Sequence, residues 1–435
     1  MRDFATSDDP AVQAQLDRLA ALSLPQGRFG LETIRELMRR LGDPQRRLPP
    51  VFHVAGTNGK GSTCAFLRAM LEAQGLKVHA ATSPHLVHYN ERIRIAGALI
   101  SDALLAELLG EVLDASTDLN ASFFEVTTAA TFLAFARHPA DACVIEVGLG
   151  GRFDASNVLE APAVCGIATL GIDHEAFLLA PEPGTPDDPL ARIAFEKAGI
   201  AKADVPLVTQ AYPPQAAQAI VAAAAKADAP LHMRGRDWRA EIGDEIAYSD
   251  AAGTLRLPLP RLGGAHQADN AALAVAMIRH QDRLTVLAEA MREGILAARW
   301  PARMQLLGEG PLTALAPGRR VWLDGGHNPD AGAAIARFFG HSRPIHLILG
   351  MLANKNPGAI LAPLRGKLAS LSVVPVPGHD PHPPEAFAAH SDLPLRSFAD
   401  VEQALRALPP EGDVLIAGSL YLAGAVLRLN RQVPD

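Results

Sequence analysis

Eight consecutive residues carry the strongest chemical signal in the chain: Gly56-Thr57-Asn58-Gly59-Lys60-Gly61-Ser62-Thr63. They follow a short apolar run, Val51-Phe52-His53-Val54-Ala55, and open a stretch with helical spacing from Ser62 to Gln74. A glycine turn between a buried strand and a helix presents backbone N–H groups to phosphate, and the helix N-terminus adds a favourable partial charge. On this reading the seven residues from Thr57 to Thr63 surround a nucleotide. Lys60 sits on the β/γ-phosphates, and Ser62 or Thr63 offers a hydroxyl to Mg²⁺. The common spacing is G-x-x-x-x-G-K-[ST]. Here Val54 stands at the first glycine position and Gly61 follows the lysine, so the turn is a variant. The competing reading is a glycine-rich turn that holds no ligand.

Other residues are placed to complete a metal and phosphate site. Glu146 ends the apolar run Cys143-Val144-Ile145, just ahead of Gly148-Leu149-Gly150-Gly151-Arg152. Ligands of open α/β sheets bind beyond the carboxyl ends of strands, where a carboxylate suits Mg²⁺; read alone, Glu146 is as well explained as a structural residue. His174 follows the run Ile167–Leu170 and is placed for a second metal, although a lone histidine is more often structural. Lys197, in Ile193–Ile200, is by itself one lysine on a helix. Asp324-Gly325-Gly326-His327-Asn328-Pro329 follows another apolar run, and its polar groups are candidates to reach a nucleotide across a domain cleft. Asn354-Lys355-Asn356-Pro357 lacks the acid that guanine recognition needs, so it is not read as a GTP site.

These residues need strands and helices to hold them. Apolar runs at Ala142–Val147, Ala163–Leu170 and Val205–Thr209 read as buried strands; segments near 101–114, 125–137, 189–201 and 214–227 read as helices. Strands alternating with helices predict a parallel sheet covered on both faces. Residues 11–43 read as helical with a break at Pro25-Gln26-Gly27. Residues 238–258 alternate like an antiparallel excursion, and helices follow near 266–281 and 283–297. A second series has strands at Val321–Leu323, Ile345–Leu349, Leu371–Val376 and Val414–Ala417. The join falls near Arg299-Trp300-Pro301, giving domains at 1–297 and 298–435. The segment Leu178–Pro189, rich in Pro, Gly and Asp, reads as a flexible loop.

Bulk properties narrow the class. The 435 residues are 49% hydrophobic but only 5% aromatic, so the cores are mostly aliphatic. A formal net charge of −7 offers no basic face for nucleic acid. Cys64, Cys143 and Cys165 are odd in number and irregularly spaced, which suits neither a disulfide framework nor a zinc knuckle. The polar, acidic start of the chain is unlike a signal peptide, and no uncharged run is long enough to span a bilayer. The expectation is a soluble cytoplasmic protein.

Read in order, the motifs resemble one family. His53–Thr63, Thr82-Ser83-Pro84-His85-Leu86, Asn90–Ile95, Phe124-Glu125, Glu146–Asn157, Asp173-His174 and Phe195–Ile200 match in the first part. Gly264–Asn270, Pro301-Ala302-Arg303, Asp324–Pro329 and Gly418-Ser419-Leu420-Tyr421 match in the second. The chain resembles the folylpolyglutamate synthase / dihydrofolate synthase family, relatives of the Mur ligases, from about Leu24 to the C-terminus. The resemblance implies an α/β protein with an N-terminal P-loop ATPase domain, whose parallel sheet is flanked by helices, and a C-terminal Rossmann-like α/β domain. It implies ATP and two Mg²⁺ ions, with Ser62, Glu146 and His174 as metal ligands. Lys197 is implied as a carbamylated lysine near the metals, which requires a lowered amine pKa. A monovalent cation is a further cofactor to be considered. Asn270, Arg303 and Asp324 match nucleotide-binding positions; His327 and Ser419 match positions tied to phosphate and glutamate. Ser122, Phe124, Asp154 and Ala155 fall where the family seats the pterin. The implied partners are dihydropteroate or a reduced folate, L-glutamate and ATP, acting on a monomer.

The implied reaction activates a folate carboxylate as an acyl phosphate, which the glutamate amine then attacks. Three departures stand out: the long Leu178–Pro189 link, Ala302 where Gly is common, and Ala96-Gly97 where Asn-Gly is common. Two rivals stand against this reading. A Mur-type ligase needs a uridine-nucleotide domain ahead of the P-loop, and 55 residues precede Gly56. A P-loop switch or binding module would need no glutamate.

Overall fold

The computed structural model describes residues 5–22, 30–340, 344–380, 382–409 and 411–434. The expected break at Pro25-Gln26-Gly27 lies outside the described residues. The chain divides into two compact units: the first holds the residues up to Pro84, His88–Arg261 and Ala268–Arg299, and the second holds His85–Val87, Leu262–Gln267 and Trp300 onward.

Eight strands build the main sheet of the first unit: β1 (Val51–Ala55), β2 (Val78–Ala81), β3 (Ile93–Ile95), β4 (Ala98–Leu99), β5 (Ala142–Glu146), β6 (Val164–Ile167), β7 (Leu207–Thr209) and β8 (Leu231–Met233). Their order is β4-β3-β2-β5-β1-β6-β7-β8. The ladder from β2 to β8 is parallel; β3 and β4 add an antiparallel edge. Strand β1 is buried along its whole length, as a central strand covered on both faces must be. One aliphatic core includes Cys143 and Ile145 of β5 and residues of helices Asp102–Ala115 and Phe123–Arg137. Another joins Cys165 and Ile167 of β6 to helices Pro189–Ala198 and Pro214–Lys226.

Strand register decides where the functional turns emerge. Val54 of β1 pairs with Glu146 of β5 and with Gly166 of β6, and Ala55 pairs with Ile167. The carboxyl ends of three central strands therefore lie side by side. The phosphate turn, the glycine turn after Glu146 and the segment carrying Asp173-His174 all leave from one edge.

The predicted antiparallel excursion is present as β9 (Trp238–Ile242), β10 (Ile246–Asp250) and β11 (Gly253–Leu257). The last helix of this unit starts at Ala288 rather than near 283; Thr285 and Val286 are β-branched and suit a helix poorly.

The second unit carries β12 (Gln305–Leu306), β13 (Val321–Asp324), β14 (Ile345–Leu349), β15 (Leu368–Val373), β16 (Leu395–Ser397) and β17 (Val414–Ala417), in the order β12-β13-β17-β14-β15-β16. All pairings but β12–β13 are parallel. Strand β15 ends three residues before the expected Val376, because Pro375 has no N–H for the ladder. Among the described residues no helix is long and apolar enough to cross a membrane.

Candidate active site

Residues 56–63 form a strand–turn–helix junction at the end of β1. Gly56 has φ 153° and Gly59 has φ 82°, both in the range that favours glycine. A Cβ on Gly56 would lie 2.9 Å from the Ala168 Cβ, and one on Gly59 would run into the Asn270 side-chain amide. Hydrogen bonds staple the turn to the segment leaving β6. The Thr57 and Asn58 N–H groups donate to the Thr169 carbonyl at 2.8 and 3.2 Å, and Thr57 Oγ1 donates to the Gly171 carbonyl at 2.9 Å. Gly59 caps the helix Lys60–Ala73 with no side-chain bond, and the first turn contains no acid. An uncapped, acid-free helix start is open to an anion.

Two lysines meet at this turn. Lys60 Nζ donates to the Gly56 carbonyl at 3.1 Å and to the Thr57 carbonyl at 3.3 Å. Lys197 Nζ donates to the same Gly56 carbonyl at 2.9 Å. Lys197 is only 4% exposed. Burial brings its amine down to about 7, and the Lys60 charge adds to this against Asp173, Asp154 and Glu196. Nothing in the local sequence of Lys197 announces that shift, since the carbonyl it meets belongs to a turn 141 residues earlier.

The expected metal ligands form a mixed set. Ser62 and Thr63 are buried in the first helical turn, and the buried Thr63 Oγ1 has no hydrogen-bond partner among the described residues. Glu146 is buried at the end of β5, where its Oε2 accepts from the Ser83 N–H at 3.1 Å. These hydroxyl and carboxylate oxygens are hard donors, which suit Mg²⁺ or Mn²⁺. His174 adopts the left-handed conformation (φ 54°) at the start of the short helix Glu175–Leu178, and its N–H donates to Asp173 Oδ1 at 2.7 Å. Among the described residues no three His, Cys, Asp or Glu side chains gather to hold a metal alone. An ion beside Glu146 would complete its shell with hydroxyl, phosphate or water oxygens.

The pterin candidates separate into two roles. Phe124 lines an open pocket with Thr127, Thr128, Thr131, Phe132, Glu146, Ser156 and Arg92. Ser122 is engaged elsewhere: it and Glu125 form a capping box at the start of helix Phe123–Arg137, with Glu125 Oε2 accepting from the Ser122 N–H at 2.8 Å. Asp154 is buried at the head of the short 3₁₀ turn Ala155–Val158 and accepts from the Ser156 and Leu149 N–H groups at 3.0 and 2.8 Å. Burial pushes its carboxyl up, against those hydrogen bonds. Asp154 and Ala155 thus shape the wall from which Ser156 faces the pocket.

Arg92 and the three threonines carry no role on the sequence reading. Arg92 is buried with its guanidinium 5.2 Å from the Tyr89 ring and 5.6 Å from the Phe123 ring. The spacing Thr127-Thr128-x-x-Thr131 is a polar stripe in the apolar middle of helix Phe123–Arg137, and that is the signal by which they could be found.

In the second unit, Arg303, Asp324, His327 and Ser419 lie around the ends of β13 and β17, where Asp324 pairs with Ala417. Asp324 accepts from the Met304 N–H at 2.8 Å and the Gly326 N–H at 2.7 Å. Arg303 Nη1 would lie 3.0 Å from a Cβ on Gly325, and it donates to the Ala302 carbonyl at 3.1 Å. The His327 ring shares a 3.1 Å hydrogen bond with the Gly325 carbonyl. Ser419 caps helix Leu420–Leu429 by accepting from the Tyr421 N–H at 3.1 Å.

A parallel sheet with a Gly-Lys turn at its carboxyl edge, and a buried glutamate beside it, defines a nucleotide-dependent α/β enzyme. Comparison with known proteins gives the family. The chain is 33% identical over 413 residues to the folylpolyglutamate synthase of Lacticaseibacillus casei, covering 90% of this chain and 92% of that one. It superposes on the bifunctional folylpolyglutamate synthase/dihydrofolate synthase of Yersinia pestis, complexed with AMPPNP and Mn ion, with a TM-score of 0.83 at 30% identity over 96% of this chain and 97% of that one. The Escherichia coli FolC structure in complex with DHPP and ADP gives a TM-score of 0.83 at 32% identity, covering 97% of each chain. No family model matches. The chain belongs to the folylpolyglutamate synthase/dihydrofolate synthase family, and it is an ATP-dependent ligase.

Proposed function

We propose that the protein joins L-glutamate both to dihydropteroate and to the γ-carboxylate of reduced folates, with carbamylated Lys197 as part of the catalytic site. The observation that carries this beyond a simple nucleotide switch is the meeting of Lys60 and Lys197 on one carbonyl. Burial first, and repulsion from the Lys60 ammonium second, lower the Lys197 amine to about 7, so a neutral fraction is present near neutral pH. A neutral Lys197 amine attacks CO₂, a C–N bond forms, a proton leaves to water, and a carbamate remains. That carbamate, Ser62, Glu146 and His174 would hold divalent ions.

The substrate carboxylate oxygen attacks the γ-phosphorus of ATP, and the bond to the bridging oxygen of ADP breaks. The product is an acyl phosphate. The glutamate amine adds to its carbonyl, phosphate leaves with the C–O electron pair, and the amine proton passes to solvent. The uncapped helix start and Lys60 stabilise phosphoryl oxygens as charge moves through them. Bound Mg²⁺ would neutralise further charge and keep the two reacting oxyanions together. Asn270, Arg303 and Asp324 bind the nucleotide, and His327 and Ser419 handle phosphate and glutamate. Phe124 stacks on the pterin, with Asp154 and Ala155 holding the pocket wall and Ser122 fixing the helix that carries Phe124.

The test is ADP release with ATP, Mg²⁺, glutamate and either dihydropteroate or a reduced folate. Glutamate-dependent turnover with both substrates is expected. Turnover with one alone reduces the reading to a monofunctional enzyme; ATP hydrolysis indifferent to glutamate replaces it with a nucleotide hydrolase.

A further inference from the structure

The Leu178–Pro189 segment, expected from its composition to be a flexible surface loop, is tied inward by the Glu182 carboxylate and by its Leu178 and Ala180 carbonyls. Glu182 makes a two-pronged pair with Arg152, at 2.5 and 3.0 Å, and lies 3.3 Å from Arg192. Both arginines also reach Glu196, at 2.7 Å from Arg152 and 3.3 Å from Arg192. The four side chains are only 7–22% exposed. Arg192 also donates to the Leu178 and Ala180 carbonyls, both at 3.2 Å.

The cluster borders the residue on which the proposed chemistry depends. Glu196 immediately precedes Lys197, and the Arg152 N–H donates to the Glu196 carbonyl at 2.8 Å. A Cβ on Gly151 would lie within 2.9 Å of the Glu196 and Lys197 carbonyls, so this turn and the lysine-bearing helix are in backbone contact. Two arginines against two glutamates balance in charge. Without Glu182, two largely covered arginines would face one carboxylate, and the loop would keep only the Arg192 bonds to its Leu178 and Ala180 carbonyls.

The geometry points to Glu182 as a positioning residue for Lys197: by bridging Arg152 and Arg192 it clamps helix Pro189–Ala198 onto the Gly150–Arg152 turn and fixes Lys197 Nζ at the Gly56 carbonyl. This inference rests on the assignment of Lys197 as the carbamylated residue. The inserted loop thereby becomes part of the support of the active site.

The experiment compares the full-length wild type with E182Q. Three quantities are measured: the melting temperature, kcat and KM for the pterin substrate, and the lysine carbamate signal in ¹³C NMR with ¹³C-bicarbonate. E182Q is expected to stay folded with KM within about twofold. Its kcat should fall by about ten- to a hundredfold, the scale on which a small misplacement acts. Its carbamate signal should need more bicarbonate to reach wild-type height. Wild-type kcat and carbamate in E182Q overturn the inference. If the wild type itself shows no carbamate, the assignment of Lys197 fails. The clamp is then judged by kcat alone, a fall at constant KM supporting it and no change overturning it. If E182Q does not fold, E182Q/R192Q removes one charge of each sign and keeps the Arg152–Glu196 pair. The same fall in kcat is expected there, and wild-type kcat overturns the clamp.

Discussion

Each unit contains a strand that runs into a glycine-bearing turn and then a helix, yet the two turns spend their hydrogen bonds differently. After β1 the helix starts on Gly59, with no side-chain cap and no acid in its first turn. After β13 the helix Pro329–Phe339 is capped by Asn328, which accepts from the Ala331 N–H at 3.0 Å, and Asp330 stands in its first turn. The first turn keeps its positive end open; the second satisfies itself. Glycine is used differently too. Gly56 and Gly59 supply positive φ, whereas Gly325 and Gly326 allow close approach of Leu420, Arg303 and Ala331. Helix dipole and sheet position are common to both turns; only the first of the two adds an uncapped helix start beside a lysine, which suits it better to an anion.

Breaking the first turn should have the largest effect. Lys60→Met keeps the aliphatic stem and removes the charge. A fall of about 10²–10³-fold in kcat is expected, the scale for losing one donor to a developing anion. Steady-state ADP release checks this, with circular dichroism to show an unchanged fold. A fall below tenfold would mean that the helix start acts without its lysine.

The next effect is a pH dependence tied to Lys197. Its folded pKa is lowered to about 7 from an ordinary 10.5, so the neutral amine dominates above about 7 instead of only in alkali. At limiting bicarbonate buffered to constant CO₂, the initial rate of activation of decarbamylated enzyme should rise about tenfold from pH 6 to 8 and then level. A rate still climbing in proportion at pH 9 would place the amine at its ordinary value. The sign for stability follows from the same shift. The unfolded chain binds this proton more tightly between pH 7 and 10.5, so the group costs stability below that window, and the cost fades as pH rises through it.

Removing the Asn328 cap of the second turn should leave chemistry nearly intact. Asn328→Ala removes a cap and is expected to cost about 1 kcal/mol in a denaturant titration. The KM for ATP should stay within about twofold. A large rise in KM would show that this turn, like the first, meets the nucleotide with its N–H groups.

The two turns also differ in how legible they are from sequence. The first is readable because its chemistry is contiguous: strand, Gly, Lys and hydroxyls follow one another in sequence. The parallel sheets are readable from apolar runs of the right length. Short strands such as β12 and β16 are not, because two or three partly exposed residues carry no period. The pocket residues Arg92, Thr127 and Thr131 come together only through the pairing of β2 with β3 and the packing of helix Phe123–Arg137. Glu182 reads as part of a flexible loop because its partners, Arg152 and Arg192, lie 30 and 10 residues away. Long-range ion pairs leave no local pattern.

The smallest effect is expected at Ala302, where the chain departs from the common glycine beside the second turn. Ala302 has φ 54°, a conformation that costs an L-residue about 1–2 kcal/mol. It is also fully buried, and losing its methyl removes about 0.8 kcal/mol of apolar burial. Glycine there would relieve the first term and forfeit the second, while adding freedom to the unfolded chain. The terms nearly cancel, so Ala302→Gly should shift stability by less than about 0.5 kcal/mol. The Arg303 and Asp324 contacts should persist, because Met304 N–H and Gly325 N–H are held by Asp324 and the residue-302 carbonyl, not by the methyl. The same exchange at Gly59 in the opposite direction has no such compensation. Alanine at Gly59 meets the Asn270 amide as well as the left-handed strain, so its cost to nucleotide affinity should far exceed any cost at Ala302. Equal costs at the two positions, measured by thermal melting with and without ATP, would erase the distinction between an open turn and a self-satisfied one.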